Sequence, residues 1–269
     1  MLYQEIAPHP KLRPYILDYW LFKVPPYEVL GQAEIQHVAP AEACVSLVLV
    51  YNQPGQFKMA LVTGPTTEAI QTMVQPDSVY LGIRFVPGMF NAMFGDLGIN
   101  LKEQHIPVEH LLPNLNVQYL FEHLSLTFSD FSVVDDLLLN LLAQQAPIKY
   151  DEEVNRAVRL IMSSGGNIPI RNVLEQACLS ERQLQKRFRQ STYLTMKELA
   201  KICRLRHAIA KVHLEKKSIS DAVYEAGYFD QAHYNHDLNQ TTGLKPEAFY
   251  QHIGKIEHVG VKPLQQLEE

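Results

Sequence analysis

The sequence predicts an α+β fold: a small N-terminal β-barrel or sandwich with flanking helices, then an all-α part with two helix-turn-helix units joined by a long helix. Three observations carry this prediction. Up to about residue 113, short apolar runs alternate with turn signals such as Gly64-Pro65, Pro76-Asp77 and Pro87-Gly88. Beyond residue 149 the apolar spacing lengthens to three and four, the period of a helix. Within that second part, a pattern of helix, short turn and capped helix occurs twice.

At 269 residues the chain suits two domains better than one. Its 46% apolar and 20% charged residues are an ordinary globular balance. No apolar run reaches membrane-spanning length, and the opening MLYQEIAPHPKLRPY lacks the core of a signal peptide, so a soluble cytoplasmic protein with no membrane partner is expected. Cys44, Cys178 and Cys203 show no metal-ligand spacing and predict neither disulfides nor a zinc site. The expected divisions are 1–113, β-rich; 114–148, a helical connector; 149–254, the helical domain; and 255–269, a poorly ordered tail.

LRPYILDYWLF reads as a first helix running into a strand, and Cys44 to Tyr51 as a buried strand ended by Asn-Gln-Pro-Gly. KMALVTGPTTEAIQTMV and DSVYLGIRFVPG add strands, and MFNAMFGDL a short helix. Leu115 to Gln145 suggests two helices broken near Ser129-Asp130, either packed on the barrel or forming a dimer interface. Pro147 marks the boundary. Val154, Val158 and Ile161 make one helical stripe, ended by Ser163-Ser164-Gly165-Gly166. Thr195 to Lys217 is one long helix, with Leu199, Ile202, Cys203, Leu205, Ile209 and Val212 facing inward.

The most informative stretch is SERQLQKRFRQ, Ser180 to Gln190. Ser180 and Gln183 have capping-box spacing, and Leu184 and Phe188 lie on one inward stripe. Arg182, Gln185, Lys186 and Arg189 form a separate basic, hydrogen-bonding face. Arg or Lys can pair with guanine O6 and N7, and Gln with adenine N6 and N7, so this face suits a DNA major groove. Adding 50 converts Ser180, Leu184, Phe188, Gln190, Thr192 and Leu194 into Asp230, Tyr234, Leu238, Gln240, Thr242 and Leu244. The preceding helix repeats at 49, pairing Ile170, Leu174, Ala177 and Cys178 with Ile219, Val223, Ala226 and Gly227, which places the extra residue in the turn.

Charge follows the same division. Residues 1–150 hold 7 Lys and Arg against 14 Asp and Glu, whereas Ser180–Lys217 holds eleven basic and three acidic residues. Such a block can neutralise phosphates and release counterions even on a chain of net charge −5.

Two such units over residues 151–253, with SERQLQKRF in the first and AGYFDQAHYNHDLNQTTGLKPEAF in the second, resemble the DNA-binding domain of AraC/XylS-type transcriptional regulators. LRPYILDYW, TGPTTEAI and LGIRFVPGMF resemble a sensor-type domain that precedes it in many bacterial regulators, without implying a particular ligand. The resemblance implies a bacterial sequence-specific regulator acting on double-stranded promoter DNA, with RNA polymerase as a further partner and a homodimer as a candidate assembly. It places the base-reading residues on Arg182, Gln185 and Lys186 in the first unit and on Gln231, Ala232, Asn235 and His236 in the second. Departures are Cys178 where the turn often has Gly, and Tyr193 and Met196 where Gly and Pro are usual. The second unit has HDLNQ in place of basic residues; Ser218–Ile253 has one Lys against five acids. The first unit is therefore expected to supply most of the DNA affinity.

Three rival readings accompany this one. His37, His105, His110 and His123 allow a cupin-like metal or ligand site, but no close His pair with a carboxylate marks a centre. No Gly-rich phosphate loop or nucleophile elbow appears, so no enzyme, cofactor or metal is expected. A redox sensor would need reactive thiols, and Cys44, Cys178 and Cys203 read as packed and inert. The last rival is a regulator acting only through protein contacts, supported by the acidic second unit. Tyr19, Trp20, Tyr80, Arg84 and Phe85 are candidates to line an effector pocket, with Arg84 meeting an anion or else forming a structural salt bridge.

Overall fold

The structure is a computed structural model that describes residues 1–31, 33–52, 57–124, 131–144 and 148–261. The expected turn at 53–55, the helix break at Ser129-Asp130, Pro147 and the end of the tail, 262–269, lie outside the described residues. The chain divides into two compact units. Met1–Ile35, Cys44–Gly64 and Met73–Tyr150 form the first; Gln36–Ala43, Pro65–Thr72 and Asp151–Glu269 form the second.

In chain order the N-terminal part contains β1 (Leu2–Ile6), β2 (Ile16–Lys23), α1 (Tyr27–Leu30), β3 (Ile35–Ala39), β4 (Ser46–Asn52), β5 (Phe57–Thr63), β6 (Ile70–Val74) and β7 (Ser78–Phe85). Then follow α2 (Met89–Phe94), β8 (His105–Pro107), α3 (Val108–Leu111), α4 (Val117–His123) and α5 (Ser132–Gln144). The helix expected in LRPYILDYWLF is only a 3-10 turn at Pro10–Leu12; β-branched and aromatic residues carry the rest as β2.

Within the first unit, β8-β5-β4-β7-β2-β1 pair antiparallel in that order. Strand alternation sends Tyr19, Leu21, Leu47, Leu49, Leu81, Ile83 and Phe85 to one face, where all are buried. Helices cover that face. Phe85 meets Phe90 and Phe94 of α2 edge-on, Tyr51 meets Phe121 of α4, and the Tyr19 hydroxyl donates to Asp135 Oδ1 of α5 at 2.7 Å. The opposite face carries an ion network. Arg84, 4% exposed, donates from Nη1 to both Asp18 oxygens (2.8 and 2.7 Å) and to Glu5 (3.3 Å), and from Nη2 to the Tyr3 hydroxyl.

The second unit is helical: α6 (Glu152–Ser163), α7 (Ile170–Glu175), α8 (Glu181–Thr192), α9 (Met196–His213), α10 (Ile219–Glu225), α11 (Gln231–Thr242) and α12 (Pro246–Ile253). The stripe Val154, Val158 and Ile161 is buried, as are Leu199, Ile202, Cys203 and Leu205 of the linking helix α9. Tyr234, Leu238, Phe249 and Ile253 form the core of the second half with Leu205 and Ala208. Beyond α12, Glu257–Val259 forms a short strand, β9, where a poorly ordered tail is expected, and the His258 ring meets His213 edge-on.

β3 and β6 pair as a two-stranded ribbon whose segments belong mostly to this second unit. Val38 N–H donates to His252 Nε2 at 3.2 Å, Ala69 N–H donates to the Thr241 carbonyl, and Arg206 donates to Glu42 at 2.8 Å. The ribbon thus contacts α12 through Val38, and the residues flanking it, Glu42 and Ala69, contact α9 and the end of α11.

Candidate nucleic-acid interface

The helix α8 begins as its spacing predicts. Ser180 Oγ accepts from Gln183 N–H and Gln183 Oε1 accepts from Ser180 N–H, closing a capping box. Leu184 and Phe188 are fully buried. Arg182, Gln185, Lys186 and Arg189 are all exposed on the remaining surface.

Partners divide the basic block sharply. Arg187 pairs with Asp151, Lys201 with Asp237, Arg206 with Glu42, and Lys211 and Lys217 both with Glu225. Arg204 donates to the Gly166 carbonyl and lies over the Tyr228 ring. The Lys211 and Lys217 amines hold the Glu225 carboxyl down at about 2. No ion pair is formed, among the described residues, by Arg182, Lys186 or Arg189, nor by Lys197 at the start of α9 or Lys216 beyond its end, which are also exposed. Three of the five unpaired cations of this block therefore lie on α8, where they can attract a polyanion. Lys197 carries no signal in the α8 pattern and is missed by it.

The second unit repeats the skeleton with different chemistry. Asp230 caps α11, its Oδ1 accepting from His233 N–H at 2.7 Å. Gln231, Ala232 and His236 are exposed; Asn235 is half-buried, and its Oδ1 is a buried atom without a partner. His233 and His236 each lie 3.8 Å from the Asp237 carboxylate, which Lys201 approaches to 3.2 Å. Beside the turn, Tyr224 and Phe229 are 82% and 92% exposed, two aromatics that sequence spacing alone does not single out.

The repeat as spacing aligns it needs one correction. Three residues separate the helix caps in both turns, 177–179 and 227–229, whereas α7 has six residues and α10 seven. The extra residue belongs to the helix and not to the turn. Ala177 N–H bonds the Leu174 carbonyl just as Gly227 N–H bonds that of Tyr224, so Ala177 and not Cys178 is the counterpart of Gly227. Cys178 is exposed, contrary to its reading as a packed residue, while Cys44 and Cys203 are buried and burial pushes the Cys203 thiol up to about 12.

The five candidate effector residues do not share a surface. Trp20, Tyr80 and Arg84 alternate onto one face of the first unit's sheet, where the Trp20 indole lies over Gly82 so closely that a Cβ there would come within 2.1 Å. Tyr19 and Phe85 are fully buried on the other face, under the helices. Arg84 is engaged by Asp18 and Glu5. Of the four histidines weighed for a metal, His37 meets His252 on the ribbon, while His105, His110 and His123 lie on β8, α3 and α4. Among the described residues no three His, Cys, Asp or Glu side chains are grouped to hold a metal ion.

A capped basic helix, repeated in outline and joined by a linking helix, defines a class: the DNA-binding transcription regulators with paired helix-turn-helix units. Residues 173–252 match the family model described as a helix-turn-helix domain, and residues 4–107 match a domain of unknown function, DUF6597. The chain thus carries an AraC-type helix-turn-helix DNA-binding domain in its C-terminal half and a DUF6597 domain in its N-terminal half. No curated protein matches it in sequence. Among solved structures, a 1.65 Å structure of ToxT from Vibrio cholerae matches with a TM-score of 0.47 and 10% identity, covering 82% of this chain and 99% of that one. A second ToxT structure, from Vibrio cholerae O395, matches at 0.45 and 9%, covering 86% and 96%.

Proposed function

We propose that this regulator reads promoter DNA chiefly through α8, with Arg182, Gln185, Lys186 and Arg189 at the bases and phosphates, in the bacterial cytoplasm. The second unit, through Gln231, Ala232, Asn235 and His236, adds less affinity. One observation carries the asymmetry: α8 presents three exposed cations without ion-pair partners, Arg182, Lys186 and Arg189, whereas residues 218–253 hold one lysine against five acids. A helix N-terminus bearing Arg and Gln is the end that a helix-turn-helix presents to base edges. The N-terminal unit would supply effector sensing or a dimer contact, and RNA polymerase is the natural further partner of a promoter-bound protein.

The test is a selection of duplexes from a random-sequence pool with the full chain, repeated with the double variant Arg182→Ala/Lys186→Ala. Each bidentate base contact is worth about 1–3 kcal/mol, so the pair should lose about 30-fold or more in affinity. Each lost phosphate contact should also flatten the salt dependence by about one power of salt concentration. Asn235→Ala/His236→Ala should lose clearly less. Equal losses in the two units reject the asymmetry. A chain acting only through protein contacts, the reading that the acidic second unit favours, predicts no duplex binding even at low salt.

A further inference from the structure

The residue just before the N-cap of a recognition helix commonly folds back onto the fifth residue after it, an apolar clasp that fixes how the chain enters the helix. In the first unit these positions are Leu179, half-buried, and Leu184, fully buried. In the second they are Phe229 and Tyr234, and only Tyr234 is buried. The Tyr228 ring meets Tyr234 edge-on at 5.4 Å and is itself 4% exposed, so it occupies the place the clasp would fill. Phe229 is left with 92% of its surface in water, one residue before the cap of α11. Ala232, on the first turn of that helix, is exposed as well. An exposed phenyl ring and a methyl group therefore border the end of the helix that faces base edges, in a unit with almost no cations.

We propose that Phe229, together with Ala232, reads thymine methyl groups in the major groove, so that the second unit recognises DNA by apolar contact where the first uses charge and hydrogen bonds. The C5-methyl of thymine is the one apolar feature of the major-groove edge, and Phe and Ala are among the side chains that pack on it. This rests on the DNA-reading function proposed above. It accounts for how an acidic unit can add specificity: a methyl contact needs no cation and leaves little salt dependence. A basic protein partner for the same ring is the competing occupant. The continuity of Phe229 with Gln231 and Ala232 at the start of α11 favours DNA.

The decisive probe is a selected duplex in which each thymine of the half contacted by the second unit is replaced in turn by deoxyuridine, which removes the methyl and nothing else. Binding by the full chain should weaken about fourfold at one or two positions, the factor for one buried methyl group, equally at low and high salt. Phe229→Ser should weaken binding to the thymine duplex and become blind to the replacement, while Phe229→Leu should stay sensitive. Because the ring is almost wholly exposed, circular dichroism of both variants should match the parent. Equal binding of thymine and deoxyuridine duplexes overturns the proposal. So does full affinity with retained sensitivity in Phe229→Ser, which would assign the ring to a protein partner. Failure to recover any duplex defeats the DNA reading itself, and sensitivity to Arg182→Ala/Lys186→Ala separates that result from failure of the methyl contact alone.

Discussion

The two helix-turn-helix units share buried and capping positions and differ almost everywhere else. Each recognition helix ends on a threonine, Thr192 or Thr242, whose hydroxyl donates to the carbonyl four residues back and accepts the N–H two residues on. Each then turns through a left-handed residue, Tyr193 at φ +64° in the first and Gly243 at φ +70° in the second. The turns before the recognition helices close by different means. In the second, Gly227 at φ +81° lets Tyr228 N–H reach back to the Val223 carbonyl. In the first, Ala177 takes that position, and Cys178 N–H is satisfied by the Glu153 carboxylate of α6 at 3.0 Å. The fold thus constrains what is buried or capped and leaves the exposed face free to diverge into a cationic surface in one unit and an acidic, aromatic surface in the other.

The largest structural effect should come from exchanging the two turn solutions. Gly227→Ala would force an L side chain into the left-handed region, at about 1–2 kcal/mol, and set its Cβ 2.1 Å from the Asn167 side chain. We expect a loss of about 2 kcal/mol in the helical unit. Ala177→Gly, at a position that does not need φ above zero, should cost only about 0.5–1 kcal/mol through chain entropy. Trp20 is the only tryptophan and reports on the first unit, so denaturation of the second is followed by helical circular dichroism. If Ala177→Gly costs as much as Gly227→Ala, the two turns are closed alike and the contrast fails.

A smaller effect tests what the units have in common. Thr192→Val and Thr242→Val keep shape and burial but leave a helix-end carbonyl and an N–H without the hydroxyl, at about 1–2 kcal/mol each. The losses should match within about 0.5 kcal/mol despite the different surfaces. A large effect at one threonine only would mean that the shared skeleton is not equally stressed.

Local spacing makes much of this legible. The capping box of Ser180 and Gln183, the stripe of Leu184 and Phe188, and their counterparts Tyr234 and Leu238 depend on residues within a few positions of each other. What spacing misses depends on distance or on a choice between neighbours. Spacing matches Cys178 to Gly227, whereas the hydrogen bonds pair Ala177 with Gly227, because the extra residue sits in α10. That Arg84 is locked between Asp18 and Glu5 follows from strand pairing across more than sixty positions, which no local pattern encodes. Strand alternation could have separated Tyr19 from Trp20, since neighbours on a strand point to opposite faces. The ribbon is invisible to local patterns for the same nonlocal reason: two short strands of the N-terminal half pack on α12 and the end of α11.

The smallest effect concerns that ribbon, whose strand residue Val38 and flanking residue Ala69 bond His252 and Thr241. Burial, and then the neighbouring His252, pushes His37 down to about 4; burial, and then Lys255, lowers His252 as well. Both histidines are therefore held neutral in the fold, against an ordinary value near 6.5. Their contribution to the ribbon contact is fully present above about pH 6.5 and is lost as pH falls toward 4. The geometry agrees, because His252 Nε2 must be unprotonated to accept from Val38 N–H. Ala69 N–H, just before β6 and bonded to the Thr241 carbonyl, has no titrating acceptor and serves as the internal control. Hydrogen exchange, corrected for its intrinsic pH dependence, should show Val38 losing protection below pH 6.5 by at most about tenfold per pH unit for each histidine, with Ala69 losing less. His252→Gln, which keeps an acceptor that does not titrate, should flatten the Val38 profile. Parallel loss at Val38 and Ala69 in both proteins would place the acid sensitivity elsewhere in the helical unit and leave the two histidines as passive filling.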